Sequence, residues 1–253
     1  MSFNVPAAYD LFMGRYSVLL APQLADLANV EAGQRALDVG SGPGALTGEL
    51  VNRIGAEAVS AVDPSEPFVA AVTERYPGVD ARRARAEELP FPDQTFDATL
   101  AQLVVHFMKD PVAGIGEMRR VTRPGGVVAA CVWDHAGDQG PLSLFWATAR
   151  RLDPGLEDES ELPGVRQGHL GELFGEAGLG QVEETSLTVA VEHATFEEWW
   201  EPFELGVGPA GSYVTSLDSK HQVELRELMG EEIPQAPFVL TAVAWAARAT
   251  AQA

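Results

Sequence analysis

A short apolar run, "RALDVG", meets glycines at three alternating positions, Gly40, Gly42 and Gly44, and passes directly into "ALTGELVNRI". Leu46, Leu50, Val51 and Ile54 recur there on one helical face, whereas the run before the glycines has the composition of a buried strand. Glycine tolerates positive φ and lets the backbone approach a ligand closely. A strand, a glycine turn and a helix in that order predict the opening of a parallel βαβ unit, with a ligand at the carboxyl end of the strand.

The chain then keeps the same rhythm. "AVSAVD" predicts a second strand, and "PSEPFVAAVTERYPG" a helix with Pro64 near its start and Pro77-Gly78 beyond its end. "VDARRARA" reads as a third strand, and "FDATLAQLVV" as a fourth, apolar enough for burial on both faces. "DPVAGIGEMRRVTRPGG" predicts a helix closed by Pro124, Gly125 and Gly126, and "GVVAACVW" a fifth strand. Strands alternating with helices imply an α/β fold, a parallel sheet with helices on both faces. After Trp133 the pattern changes to helical "LSLFWATARRLD", an acidic loop "PGLEDESELPG", helical "HLGELFGEAGL" and the strand "VEETSLTVAVEHA". Residues 195–234 carry Trp199, Trp200, Phe203 and Tyr213 before a last strand, "FVLTAVAWAARAT". A closing strand after so long an excursion predicts a lid insertion over the sheet, within one domain spanning 1–253.

The glycines alone fit two ligands. Gly40, Gly42 and Ala45 match the G-x-G-x-x-G/A spacing of dinucleotide binders; Gly40, Gly42 and Gly44 match the G-x-G-x-G of S-adenosylmethionine binders. Asp38 separates them. Set two residues before the first glycine, its carboxylate would repel a pyrophosphate by about 4 kcal/mol at ~4 Å and an effective dielectric of 20. The same charge attracts the ammonium of a methionine tail. A purely structural alternative has Asp38 capping the turn through backbone amides. Asp63, which ends the second strand in "AVDPS", can accept both hydroxyls of an adenosine ribose, or cap the helix that begins near Pro64.

Charge narrows the partners. Against 17 Lys and Arg stand 37 Asp and Glu, a formal net charge of −20. Nucleic acid demands a basic face, and the run "ARRAR" is short and followed at once by "EELP". "FVLTAVAWAA" falls short of the ~20 apolar residues that span a bilayer, so no membrane partner is expected. The opening "MSFNVPAAYD" lacks the pattern of a secretory leader, and the single cysteine, Cys131, forms no internal disulfide. A cytoplasmic protein is the expectation. No spacing of histidines or carboxylates suggests ligands, so no metal is expected.

The segments "ALDVGSGPGALT", "AVDPS", "ARAEELPFPDQTFDATLAQLVVHF" and "EMRRVTRPGGVVAACVW" together resemble the class I S-adenosylmethionine-dependent methyltransferases. The style is that of the ubiquinone/menaquinone-biosynthesis-like, methyltransferase type 11 group. The resemblance implies a Rossmann-like sheet whose last strand is antiparallel, a cofactor-binding core over 35–134, and a helical cover over 1–34. It places Asp38, Gly40, Ser41, Gly42 and Gly44 around the methionine end of S-adenosylmethionine, and Asp63, Pro64 and Ser65 at the ribose. Arg85, Ala86 and Glu87 would recognise the adenine edge, and Gln102 would touch the cofactor near the methionine chain. In "YDLFMGRYS", Tyr9 would shield the cofactor and Arg15 would pair with its carboxylate, a task suited to a bidentate guanidinium.

The implied reaction is an in-line methyl transfer to a small-molecule acceptor, leaving S-adenosylhomocysteine. His106, just beyond the fourth strand, is the candidate general base; His135, in "VWDH", comes second, and His169 and His193 lack a supporting neighbourhood. Two other functions compete. A NAD(P)-dependent oxidoreductase would use Gly40, Gly42 and Ala45, yet the chain has no recognisable Tyr-x-x-x-Lys pair. A non-catalytic S-adenosylmethionine-binding protein would keep the fold without turnover.

Overall fold

A computed structural model describes residues 6–252; the first five residues of the opening, on which the reading of a missing leader rests, lie outside them. Seven strands form one sheet in the order β3-β2-β1-β4-β5-β7-β6. They are β1 (Ala36–Val39), β2 (Val59–Asp63), β3 (Asp80–Arg83), β4 (Phe96–Gln102), β5 (Thr122–Trp133), β6 (Glu183–His193) and β7 (Phe238–Thr250). The first five run parallel, and β7 lies antiparallel between β5 and β6. This is the expected Rossmann-like α/β architecture, with the last strand alone reversed, since β6 is antiparallel to β7 and so runs with the first five.

Helices cover the sheet because strand residues alternate between its faces. Ala36, Leu100, Cys131 and Trp133 point to one layer, where they meet Leu20 and Leu24 of α2 (Arg15–Leu27) and Leu46 and Leu50 of α3 (Ala45–Ile54). Leu37, Ala101, Ala130 and Val132 point to the other, against Ile115 and Met118 of α5 (Pro111–Val121) and Phe174 of α7 (His169–Glu176). A short helix, α1 (Pro6–Tyr9), leads through a wider turn at Asp10–Gly14 into α2, and α4 (Glu66–Arg75) joins β2 to β3.

Residues 195–234 form three helices, α8 (Phe196–Glu204), α9 (Gly208–Ser216) and α10 (Ser219–Glu232). With α6 (Ser143–Leu152) they enclose a third apolar cluster, in which the Phe203 ring stacks on Phe145 at 4.6 Å and meets Phe12 edge-on at 5.0 Å. The tryptophans and Phe203 are therefore packing residues, with Trp200 and Phe203 at most 2% exposed.

Three element boundaries differ from expectation. β4 stops at Gln102 because Leu103 turns to a positive φ of 59°, which swings "VVHF" out of the sheet. The helix before β5 ends at Val121, and Arg123–Gly126 extend β5, whose pairing with β4 shifts register between Phe96 and Ala98. The third strand keeps only four residues.

Candidate functional site

The turn after β1 is left-handed at all three glycines, with φ of +71° at Gly40, +52° at Gly42 and +101° at Gly44. Amides of Gly40 and Ser41 donate to the Val62 carbonyl at 2.8 and 3.0 Å, tying the turn to the neighbouring strand. A Cβ on Gly40 would overlap the Val104 side chain, so the close approach of the β4 exit requires glycine there. A Cβ on Gly42 would meet no atom within 4 Å. The turn is thus packed on one side and open on the other.

The open side bounds a cavity of about 340 Å³ at the carboxyl ends of β1, β2 and β4. Its wall takes Asp38, Gly40, Ser41 and Gly42 from the first turn, and Asp63, Pro64 and Ser65 from the second. Arg85, Ala86 and Glu87 follow β3, Gln102 ends β4, and Tyr9 approaches from the N-terminal segment. Twelve residues scattered through the sequence reading therefore surround one space. Ser17, Phe68, Leu103, Phe107 and Met108 line it too; these had no signal, because apolar side chains and a serine on a helix look the same in a wall as in a core.

Asp38 is 1% exposed, and its Oδ2 accepts a 2.6 Å hydrogen bond from Thr47 Oγ1. Its Oδ1 has no partner. Burial pushes the carboxyl up to about 7, helped by repulsion from Asp63 and opposed by Thr47. Gln102 repeats the pattern: its Nε2 donates to the Ser17 carbonyl at 3.0 Å, and its buried Oε1 is unpartnered. Two orphaned acceptors in one cavity wall call for a ligand rich in N–H donors, ideally a cation. A diphosphate would offer them nothing.

Asp63 serves the backbone first. Its Oδ2 accepts from the Gly42 amide at 2.9 Å and its Oδ1 from the Ser65 amide at 2.8 Å. The N-cap of α4 is Ser65 itself. Burial raises the Asp63 pKa, and the Ser65 and Gly42 amides hold it down. The Glu87 carboxylate is likewise committed, accepting from the Lys109 and Asp110 amides at 2.7 and 3.2 Å.

Three expected residues lie elsewhere. The Arg15 guanidinium is bonded to Glu198 Oε1 at 2.7 Å and to His193 Nδ1 at 2.8 Å, away from the cavity wall. That gives His193 the neighbourhood its sequence context had hidden: it accepts from Arg15, contacts Tyr16 Oη at 3.1 Å and stacks on Phe238. Gly44 sits at the N-cap of α3, where a Cβ would press on Tyr76. His106 lies in a second, smaller chamber.

That chamber, about 40 Å³, shares Tyr9, Leu103 and Phe107 with the larger cavity. His106 is in the turn after β4, His135 follows β5, and Glu159 comes from the acidic loop after α6. All three are buried, and one ligating atom of each lies within 4.8 Å of the others. The expectation of no metal rested on spacing along the chain; the fold brings three potential ligand atoms together from three separate connections.

Comparisons with known proteins bear on the family and the fold. A family profile described as "Methyltransferase domain" matches residues 37–130. Phosphatidylethanolamine N-methyltransferase of Cereibacter sphaeroides is 35% identical over 159 residues, covering 60% of this chain and 75% of its own. Demethylmenaquinone methyltransferase of Bacillus licheniformis is 30% identical over 192 residues, covering 68% and 82%. Five further curated methyltransferases, 32–38% identical, are matched over only 36–45% of their own length. Among solved structures, a SAM-dependent methyltransferase from Thermotoga maritima superposes with a TM-score of 0.56 at 17% identity, covering 98% of this chain and 100% of that one. At that identity the likeness is one of fold.

Proposed function

We propose which residues serve the reaction, and what kind of acceptor they admit, from one premise: the chain belongs to the S-adenosylmethionine-dependent methyltransferase family. It is an enzyme that uses S-adenosylmethionine as methyl donor. The observation that carries the site assignment is the pair of unpartnered acceptors, Asp38 Oδ1 and Gln102 Oε1, in the wall of the 340 Å³ cavity. We assign them to the ammonium of the methionine tail. Asp63, already holding two backbone amides, keeps lone pairs on both oxygens for the ribose hydroxyls, and the backbone at Ala86 reads the base. The cofactor, when bound, supplies a methyl group already activated by its sulfonium. What the chain adds is alignment and exclusion of water, supported by burial of the site beneath Tyr9 and the N-terminal segment.

The acceptor's reacting end belongs in the small chamber, opposite the cofactor across Tyr9, Leu103 and Phe107. Its wall is aromatic and aliphatic apart from His106, His135 and Glu159, which supports a small molecule with an apolar body and one protic nucleophile turned toward those three groups. By their names, the relatives act on phosphatidylethanolamine and demethylmenaquinone. The sequence-stretch 195–234 closes the chamber as its lid, supported by Gly208 and Pro209 in the chamber wall. No helix among the described residues is long and apolar enough to cross a membrane. A cytoplasmic location is part of the proposal, supported by a lone, buried, unpaired cysteine.

Titration calorimetry with S-adenosylhomocysteine tests the assignment. The wild-type chain should bind it, and Asp63→Ala should weaken binding by about 1.5–3 kcal/mol through loss of a charged acceptor. An unchanged affinity in a folded variant would remove Asp63 from the ribose. Incubation with S-adenosylmethionine and a panel of phenols, alcohols and amines, scored by mass gain, identifies the acceptor class.

A further inference from the structure

His106, His135 and Glu159 are buried together, yet they do not bond to one another. His135 Nε2 stands 3.9 Å from Glu159 Oε1, beyond hydrogen-bond reach, and His106 Nδ1 has no partner at all. Buried polar groups that face each other and miss are incomplete without something between them. The Glu159 carboxylate is held from behind, its Oε2 accepting from Trp146 Nε1 at 3.1 Å, which leaves Oε1 for the chamber. The chamber wall also contains Trp133, whose indole Nε1 is buried and unpartnered, a donor without an acceptor.

We propose that His106, His135 and Glu159 bind one divalent transition-metal ion of the zinc class, with an open coordination position facing the acceptor chamber. Two imidazole nitrogens and one carboxylate oxygen are the donor set of an open, three-ligand zinc site, whereas magnesium and calcium prefer oxygen alone. Ligand atoms on a tetrahedral zinc stand about 3.4 Å apart, so the present span of up to 4.8 Å closes by small side-chain rotations. The chamber's 40 Å³ exceeds the ~10–15 Å³ that one water occupies and leaves room for an ion with one further ligand. Trp146 supplies the outer hydrogen bond that orients a ligating carboxylate. The ion's role rests on the acceptor reading above: it would hold an acceptor hydroxyl by its oxygen and ease loss of that proton to solvent.

The test uses the full-length, untagged chain, stripped with chelator and titrated with Co²⁺ as a visible probe. One equivalent should raise the d–d absorption of a four- or five-coordinate cobalt, and Zn²⁺ should abolish it by competition. His135→Ala and Glu159→Gln should each weaken Co²⁺ binding at least 100-fold while binding S-adenosylhomocysteine as the wild type does, which also reports their folding. Absence of a saturable band in the wild type overturns the proposal. So does a band that survives in both folded variants, since it would come from surface groups. Metal binding without cofactor binding would sink the methyl-transfer site and leave the ion; cofactor binding without metal would do the reverse.

Discussion

Replacing Asp38 with Asn separates two effects of one carboxylate that act in opposite directions. In the ligand-free chain Asp38 is buried, one oxygen is unpartnered, and its pKa stands at about 7 instead of near 4. At 1.36 kcal/mol per tenfold change in proton affinity, holding that group ionised costs the folded state about 4 kcal/mol at neutral pH. The sign follows from proton counting. Between about pH 4 and 7 the folded chain keeps a proton that the unfolded chain has released, so this stabilisation is whole below about pH 4 and lost as pH rises through 7. Asn removes the charge, keeps an oxygen for Thr47 Oγ1, and buries an amide that costs about 1–3 kcal/mol if it finds no acceptor. The net gain is about 1–3 kcal/mol, or roughly 3–9 °C in melting temperature for a domain of this size.

Cofactor binding moves the other way. The variant loses a charge-assisted bond to the ammonium, about 1.5–3 kcal/mol, so S-adenosylhomocysteine should bind roughly 10- to 150-fold more weakly. In the wild type the ligand's cation favours the ionised carboxylate, so affinity should fall about tenfold per pH unit below 7; in Asp38→Asn that slope should vanish. Thermal melts of the ligand-free chain and calorimetry from about pH 5.5 to about 8, which spans the Asp38 titration, read both quantities. A variant that melts lower and binds the cofactor with the wild-type pH profile would refute the reasoning.

Three further substitutions probe the site's geometry. Arg15→Ala should leave S-adenosylhomocysteine affinity within about threefold, because its guanidinium is engaged by Glu198 and His193; stability should drop by no more than about 1 kcal/mol, since the pair is part-exposed. A loss of tenfold or more in calorimetry would return Arg15 to the cofactor. Gly40→Ala and Gly42→Ala both strain a left-handed backbone by about 1–2 kcal/mol, but only the first also drives a methyl into Val104, adding about 1–3 kcal/mol. Equal losses in chemical denaturation would mean the turn is not packed against the β4 exit as described.

The division between what could be read from the sequence and what could not follows chain locality. A strand that must end, a turn that needs positive φ and a helix that must begin all leave their marks within about fifteen residues, so Asp38, Gly40, Gly42 and Asp63 were legible as candidates, and all four line one cavity. The strands were equally plain, for each carries its own pattern, whereas the reversal of the last one came only from the family resemblance. The position of Arg15 was not legible, because the same side chain can turn to either side of its helix, and in the structure it turns to the carboxylate of Glu198, far along the chain. His193 was passed over for the same reason. Its partners Arg15 and Tyr16 belong to the opposite end of the sequence. The His106–His135–Glu159 chamber is the limiting case. Each member sits on a different connection, with no periodicity, spacing or composition linking "VVHF", "VWDH" and "LEDESE". The loop holding Glu159 even reads as ordinary exposed acid, yet that one residue is 4% exposed because Trp146 draws its carboxylate inward. Sites built at the carboxyl ends of parallel strands share this property: the sheet brings together residues that only its topology makes neighbours.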